Sequence, residues 1–111
     1  MKPKDAEVVV GQTTFFNCST NLTSSEIYWF HYVVGDIKGR SFVYGQDQFH
    51  SRYLDRFQME KNAATGSYNL IITSVSIDDA GRYECRDDSG LGDKDSAQLI
   101  VLGLKSLYNY V

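Results

Sequence analysis

The chain has no run approaching the ~18 consecutive apolar residues of a membrane-spanning helix, a single proline, two cysteines, two histidines and no basic excess. Each scarcity closes off a class of protein. A formal net charge of -3 argues against nucleic acid or an anionic membrane surface as partner, since either favours a basic face. Two cysteines are too few for a small scaffold held by many disulfides, and 111 residues are enough to bury a core without one. His31 and His50 are the only histidines, and no Ser-His-Asp or Cys-His arrangement that could drive nucleophilic chemistry can be drawn around them. No enzyme activity, cofactor or metal is therefore expected.

What is present is aromatic and β-branched. With 42% hydrophobic and 14% aromatic residues the chain is globular rather than disordered. Apolar residues do not recur at helical spacing. Instead Val8–Val10, Thr14–Cys18, Glu26–Val34, Ser41–Tyr44, Arg56–Met59, Tyr68–Thr73, Arg82–Arg86 and Ala97–Leu102 form short strand-like runs. Gly11, Gly35-Asp36, Gly45, Asn62–Gly66 and Ser89-Gly90 punctuate them. The expectation is an all-β domain over 1-102. The final segment, 103-111, is expected to be an extension, a hinge or vector-derived. The opening MKPKDAEVVV has no apolar signal core, so segments that would secrete or anchor a parent protein are expected outside the given chain.

The cysteines lie 67 residues apart. On composition alone they are either one bridge, worth roughly 4 kcal/mol in the chain-entropy model, or two reduced buried thiols. Two Asn-x-Ser/Thr sequons, at Asn17 and Asn21, favour an oxidising, extracellular setting. Glycan is expected more readily at Asn21, in a polar loop, than at Asn17, whose sequon contains Cys18.

The stretch Asp78-Asp79-Ala80-Gly81-Arg82-Tyr83-Glu84-Cys85 carries the strongest signal: Asp79, Gly81, Tyr83 and Cys85 alternate, so the last three share one face of an extended strand. Cys18 ends an earlier strand, and Trp29 follows within the most aromatic one. This set, with Leu70, resembles the immunoglobulin superfamily over residues 5 to 102. The resemblance implies a two-sheet Greek-key sandwich, a Cys18–Cys85 bridge packed against Trp29, a tyrosine corner at Tyr83 and an Arg56–Asp79 salt bridge closing one end. The interval from Trp29 to Cys85 is long enough for the extra C′ and C″ strands of the V-set, with 39-46 and 47-53 as candidates. The FGxG bulge of antigen receptors is absent, which favours V-type domains of adhesion molecules and innate receptors.

If Trp29 points inward, Ile27 and His31 do so too, and Tyr28, Phe30 and Tyr32 lie on the outer face of the C-C′-F-G sheet that the resemblance implies, in which C is the run Glu26–Val34, F is Arg82–Arg86 and G is Ala97–Leu102. Tyr44, Glu84, Arg86, Gln98 and Ile100 are expected to share it. Aromatic and arginine side chains on an outward face mark protein interfaces, unless the stems of Lys38 and Arg40 or strand C″ cover the rings. The acids Asp87, Asp88, Asp93 and Asp95 crowd the F-G turn. They suggest an acidic recognition loop, a plain solvated hairpin or, least in keeping with Arg86 and Lys94 beside them, calcium ligation.

Two functions follow. The first is an extracellular recognition module of an adhesion or immune-type receptor, binding protein through the C-C′-F-G face as a homodimer or a heterodimer with another immunoglobulin domain. The parent would be anchored or secreted. The second is a structural spacer unit of a modular protein. An antigen-receptor-like domain that binds through its B-C and F-G loops is a third possibility.

Overall fold

The computed structural model describes residues 3–20, 26–34, 39–62, 64–87 and 94–103. Among the described residues nine strands form: β1 (Ala6–Val9), β2 (Thr14–Phe16), β3 (Ile27–Val33), β4 (Arg40–Gly45), β5 (Gln48–Phe49), β6 (Phe57–Asn62), β7 (Ser67–Ile72), β8 (Gly81–Asp87) and β9 (Lys94–Leu102). They make a six-stranded sheet in the order β1-β9-β8-β3-β4-β5 and a three-stranded sheet in the order β2-β7-β6. The pairing of β1 with β9 is parallel and the other pairings are antiparallel. The chain changes sheet between β1 and β2, between β2 and β3, between β5 and β6, and between β7 and β8, giving the Greek-key sandwich expected from the sequence.

Alternation fills the space between the sheets. Phe16 at the end of β2, Cys18 just beyond it, Ile27, Trp29 and His31 on β3, Leu70 and Ile72 on β7, and Tyr83 and Cys85 on β8 are all buried. Removing each large apolar side chain from water contributes about 1.5–3 kcal/mol. Cys18 and Cys85 are bonded across the sandwich, with Cα atoms 6.6 Å apart. Trp29 lies between the sheets, and its indole N–H donates to the Tyr68 carbonyl at 3.0 Å, so the buried donor is satisfied.

The DxGxYxC stretch does three things. Gly81 has φ +132°, and a Cβ there would run into the Tyr32 carbonyl oxygen, so only glycine lets β8 approach β3 this closely. The Tyr83 hydroxyl donates to the Asp79 carbonyl at 2.6 Å, forming the expected corner. The Asp79 carboxylate accepts two bonds from Arg56, at 2.5 and 2.9 Å, and one from the Ser76 backbone N–H at 2.8 Å. That last bond caps the 3-10 turn Ile77–Asp79.

The C″ region is shorter than the span 47-53 expected for it. Gln48–Phe49 pairs with β4 after a two-residue turn in which Gln46 and Asp47 both have positive φ, 52° and 62°. The chain then bends into the 3-10 turn Ser51–Tyr53, because the His50 imidazole accepts from the Arg52 N–H and ends the ladder.

Candidate functional site

The outer face of the six-stranded sheet is a grid set by strand register. Phe30 on β3 lies between Phe42 on β4 and Glu84 on β8. Tyr32 lies between Arg40 and Arg82, and Tyr28 lies opposite Arg86. On β9, Gln98 pairs with Arg82, while Ile100, half-exposed, faces Glu7 of β1. Tyr28, Phe30, Tyr32 and Phe42 are each only partly buried. Their rings form a cluster, with Phe42 5.9 Å from Phe30 in an edge-on contact and 6.1 Å from Tyr28. Gly45 makes room for it, since a Cβ there would meet the Tyr28 and Phe42 rings at 2.7 and 2.9 Å.

Three guanidiniums lie over these rings. Arg40 is 4.2 Å from the Phe30 centroid, Arg86 is 5.5 Å from the same ring, and Arg82 is 4.0 Å from Tyr32. Cation–π contacts of this kind each contribute about 0.5–1 kcal/mol at exposed sites. Below them, Glu84 is nearly sealed from water. It accepts from Arg86 at 2.6 and 2.9 Å, lies 3.9 Å from Arg82, and receives the Tyr32 hydroxyl at 3.4 Å. A buried carboxylate needs partners of this kind, because its desolvation is otherwise uncompensated.

One of the expected face residues is therefore corrected. Tyr44 does not face outward. The register of β4 on β3 shifts between Trp29 and Phe30, with Val43 as the extra residue on β4, so Tyr44 pairs with inward-pointing Trp29 while Phe42 takes the outer position. The Tyr44 ring packs 4.9 Å from Phe49, and its hydroxyl donates to Asp47 at 3.2 Å. Burial, reinforced by the Asp47 carboxylate, pushes that hydroxyl up to about 12. Glu84 lies on the expected face but is occupied by arginines of its own strand. Arg82 and Phe42 escaped the sequence reading. Arg82 shares the parity of Glu84 and Arg86 and could have been found from that alternation, whereas Phe42 is hidden by the bulge.

The acidic loop is only partly in view. Asp88 and Asp93 lie outside the described residues. Asp87 and Asp95 belong to paired strands at the base of the hairpin rather than to its loop, and Asp87 accepts from the Thr20 hydroxyl at 2.9 Å. No metal-binding cluster occurs among the described residues, and none of their helices is long and apolar enough to cross a membrane. Of the sequons, Asn21 lies outside the described residues, whereas Asn17 is half-exposed on the opposite, three-stranded sheet.

This fold, with its disulfide, tryptophan and tyrosine corner, defines an immunoglobulin V-set domain. The V-set family model matches residues 1–102, and the chain belongs to that family, whose members are generally binding modules rather than enzymes. Among solved structures, it is similar to RIG-5 IG1, crystallised as a homodimer, with TM-score 0.76, 17% identity, and 91% of this chain and 92% of that one covered. It is also similar to a chain in the structure of Dpr1 IG1 bound to DIP-eta IG1, with TM-score 0.74, 14% identity, and 92% and 91% covered. No curated protein matches the sequence. A disulfide-bonded V-set domain fits an extracellular setting.

Proposed function

We propose that the chain is the recognition domain of an extracellular receptor of the adhesion or immune type, and that it pairs face to face with a second copy of itself through the outer face of β3, β4, β8 and β9. The carrying observation is the cluster of Tyr28, Phe30, Tyr32 and Phe42 on an outward sheet face, rimmed by arginines. A spacer unit has no use for four aromatic rings there, and tyrosine, phenylalanine and arginine are the residues that anchor interfaces. The two similar structures, both immunoglobulin domains crystallised in pairs, support the reading. Apolar area gained by pairing is stabilising at about 25 cal/mol per Å², but lost translational and side-chain freedom leaves a dimer that is micromolar or weaker.

Sedimentation velocity over a concentration series tests the reading. The wild type should shift toward dimer, and the double variant Phe30→Ser, Tyr32→Ser should be a folded, disulfide-bonded monomer. A wild type that stays monomeric at high concentration would sink homodimerisation. One observation favours a heterophilic partner instead: the face carries three guanidiniums against one carboxylate, and an acidic immunoglobulin face would complement it better than a copy of itself.

A further inference from the structure

The three-stranded sheet carries a feature that pairing does not use. On its outer side Phe15 is 60% exposed, opposite Ile71, and these two wall a groove of about 240 Å³ together with Asn17, Glu60 and Asn69. Asn17 is also the acceptor of the Asn17-Cys18-Ser19 sequon. Along this segment Phe16 and Cys18 point into the sandwich while Phe15 and Asn17 point out, so burial of Cys18 does not hinder its neighbour. The Asn17 side-chain amide makes no hydrogen bond to a described residue. The groove has two chemical sides. Asn69 accepts from the Cys18 N–H at 3.2 Å and donates to Glu60 at 3.3 Å, while Phe15 and Ile71 present hydrocarbon.

We propose that in a eukaryotic secretory pathway Asn17 is N-glycosylated and that its first N-acetylglucosamine lies in this groove. Its C–H face rests on Phe15 and Ile71, and its polar edge turns to Asn69 and Glu60. A pyranose ring is itself two-sided, and its weakly positive C–H groups suit the negative face of an aromatic ring. In the transfer, Asn17 Nδ2 bonds the anomeric carbon of a lipid-linked oligosaccharide, the carbon–oxygen bond to the lipid diphosphate breaks, and the amide proton goes to a base of the transferase. The glycan then covers the exposed Phe15 and closes this sheet to protein partners, leaving the six-stranded sheet as the uncovered face. The inference rests on the extracellular reading but not on self-pairing.

The test is secretion from cultured mammalian cells behind an added signal peptide. Both sequons fall in one tryptic peptide, so the Asn21→Gln variant reports on Asn17 alone. Peptide mapping after enzymatic release, which converts a glycosylated asparagine to aspartate, should find Asn17 filled in most chains. After trimming to a single sugar, NMR should show contacts between its N-acetyl group or ring protons and the Phe15 ring. Full removal of that sugar should lower the melting midpoint by roughly 2–4 °C, a difference that Phe15→Ser abolishes. An empty Asn17 in the secreted, disulfide-bonded protein overturns the proposal, as does a filled Asn17 whose sugar makes no contact with Phe15. Sedimentation of the same samples is read separately, so loss of self-pairing leaves the glycan result standing.

Discussion

His31 lies flat against Tyr83 in the centre of the sandwich, the ring centroids 4.2 Å apart and the planes within 5° of parallel. Its Nε2–H donates to the Ala80 carbonyl at 2.8 Å, which leaves Nδ1 to accept from the Tyr53 hydroxyl at 3.1 Å. The imidazole is thus a fully bonded neutral core residue that ties β3 to the corner before β8. The sequence placed it inside, and its partners explain how a polar ring is accommodated there.

Burial lowers the pKa of His31, with Arg52 acting in the same direction and the Ala80 carbonyl and Asp79 opposing. The unfolded chain therefore takes up a proton near pH 6.5 that the folded protein refuses. Stability is fully present above about pH 6.5 and falls as the pH drops, by up to about 1.4 kcal/mol per unit, until the folded-state pKa is reached. Urea midpoints between pH 7.5 and 5 should show this slope, and His31→Gln should flatten it while lowering stability at pH 7. An equal slope in the variant would assign the effect to other groups.

Asp79 joins three parts of the lower end: Arg56, the Ser76 N–H and, through its carbonyl, Tyr83. Asp79→Asn keeps the shape but removes the charge, leaving the Arg56 guanidinium with the Thr73 and Ser74 carbonyls. A fully buried pair broken this way costs about 3–5 kcal/mol, but the Arg56 side chain is 34% exposed, so about 2 kcal/mol is expected in chemical denaturation. A loss below about 0.5 kcal/mol would show that solvent already screens the pair.

The residues legible from sequence were those governed by strict alternation. Cys18, Trp29, Leu70, Tyr83 and Cys85 face inward, and Tyr28, Phe30 and Tyr32 face outward, because β3 pairs with β8 in unbroken register and the extra residue of the bulge lies on β4. Tyr44 was misplaced because the bulge beside Val43 changes the phase of β4, and a bulge leaves no mark in composition. The sealing of Glu84 was also out of reach. It depends on Arg86 folding back along its own strand and on Tyr32 arriving from a neighbouring one. Likewise the sequon at Asn17 could be read directly, but the groove beside it needs β6 and β7 in register.

The β4–β5 turn offers a stabilising change. Gln46 and Asp47 both occupy the left-handed region, the backbone of a type I′ hairpin, in which asparagine is favoured first. Asp47 is held by its side chain, which accepts from Tyr44 and Lys61, so it should be kept. Gln46→Asn should raise stability by about 0.5 kcal/mol, while Asp47→Gly should gain nothing because the turn improves as those bonds are lost. Thermal melts of both variants decide it, and destabilisation by Gln46→Asn would contradict the strain argument.

The charge on the pairing face makes the mode of association testable by salt. Arg40, Arg82 and Arg86 outnumber Glu84, so two copies meeting face to face bring like charges together, at distances that a Debye length of about 8 Å screens at physiological salt. The homodimer should therefore tighten, by roughly twofold to threefold, as salt rises from low to moderate concentration, since aromatic burial is unaffected and repulsion is screened. Glu84→Gln adds one more uncompensated positive charge per copy. It should weaken self-association about fivefold to tenfold and steepen the salt dependence, with a stability loss of about 1–2 kcal/mol from breaking the buried pair. An acidic heterophilic partner predicts the reverse on both counts: binding that weakens with salt and strengthens in Glu84→Gln. Sedimentation equilibrium of the wild type and the variant at two salt concentrations separates the cases, and self-association that weakens with salt would show that the two copies do not meet arginine face to arginine face.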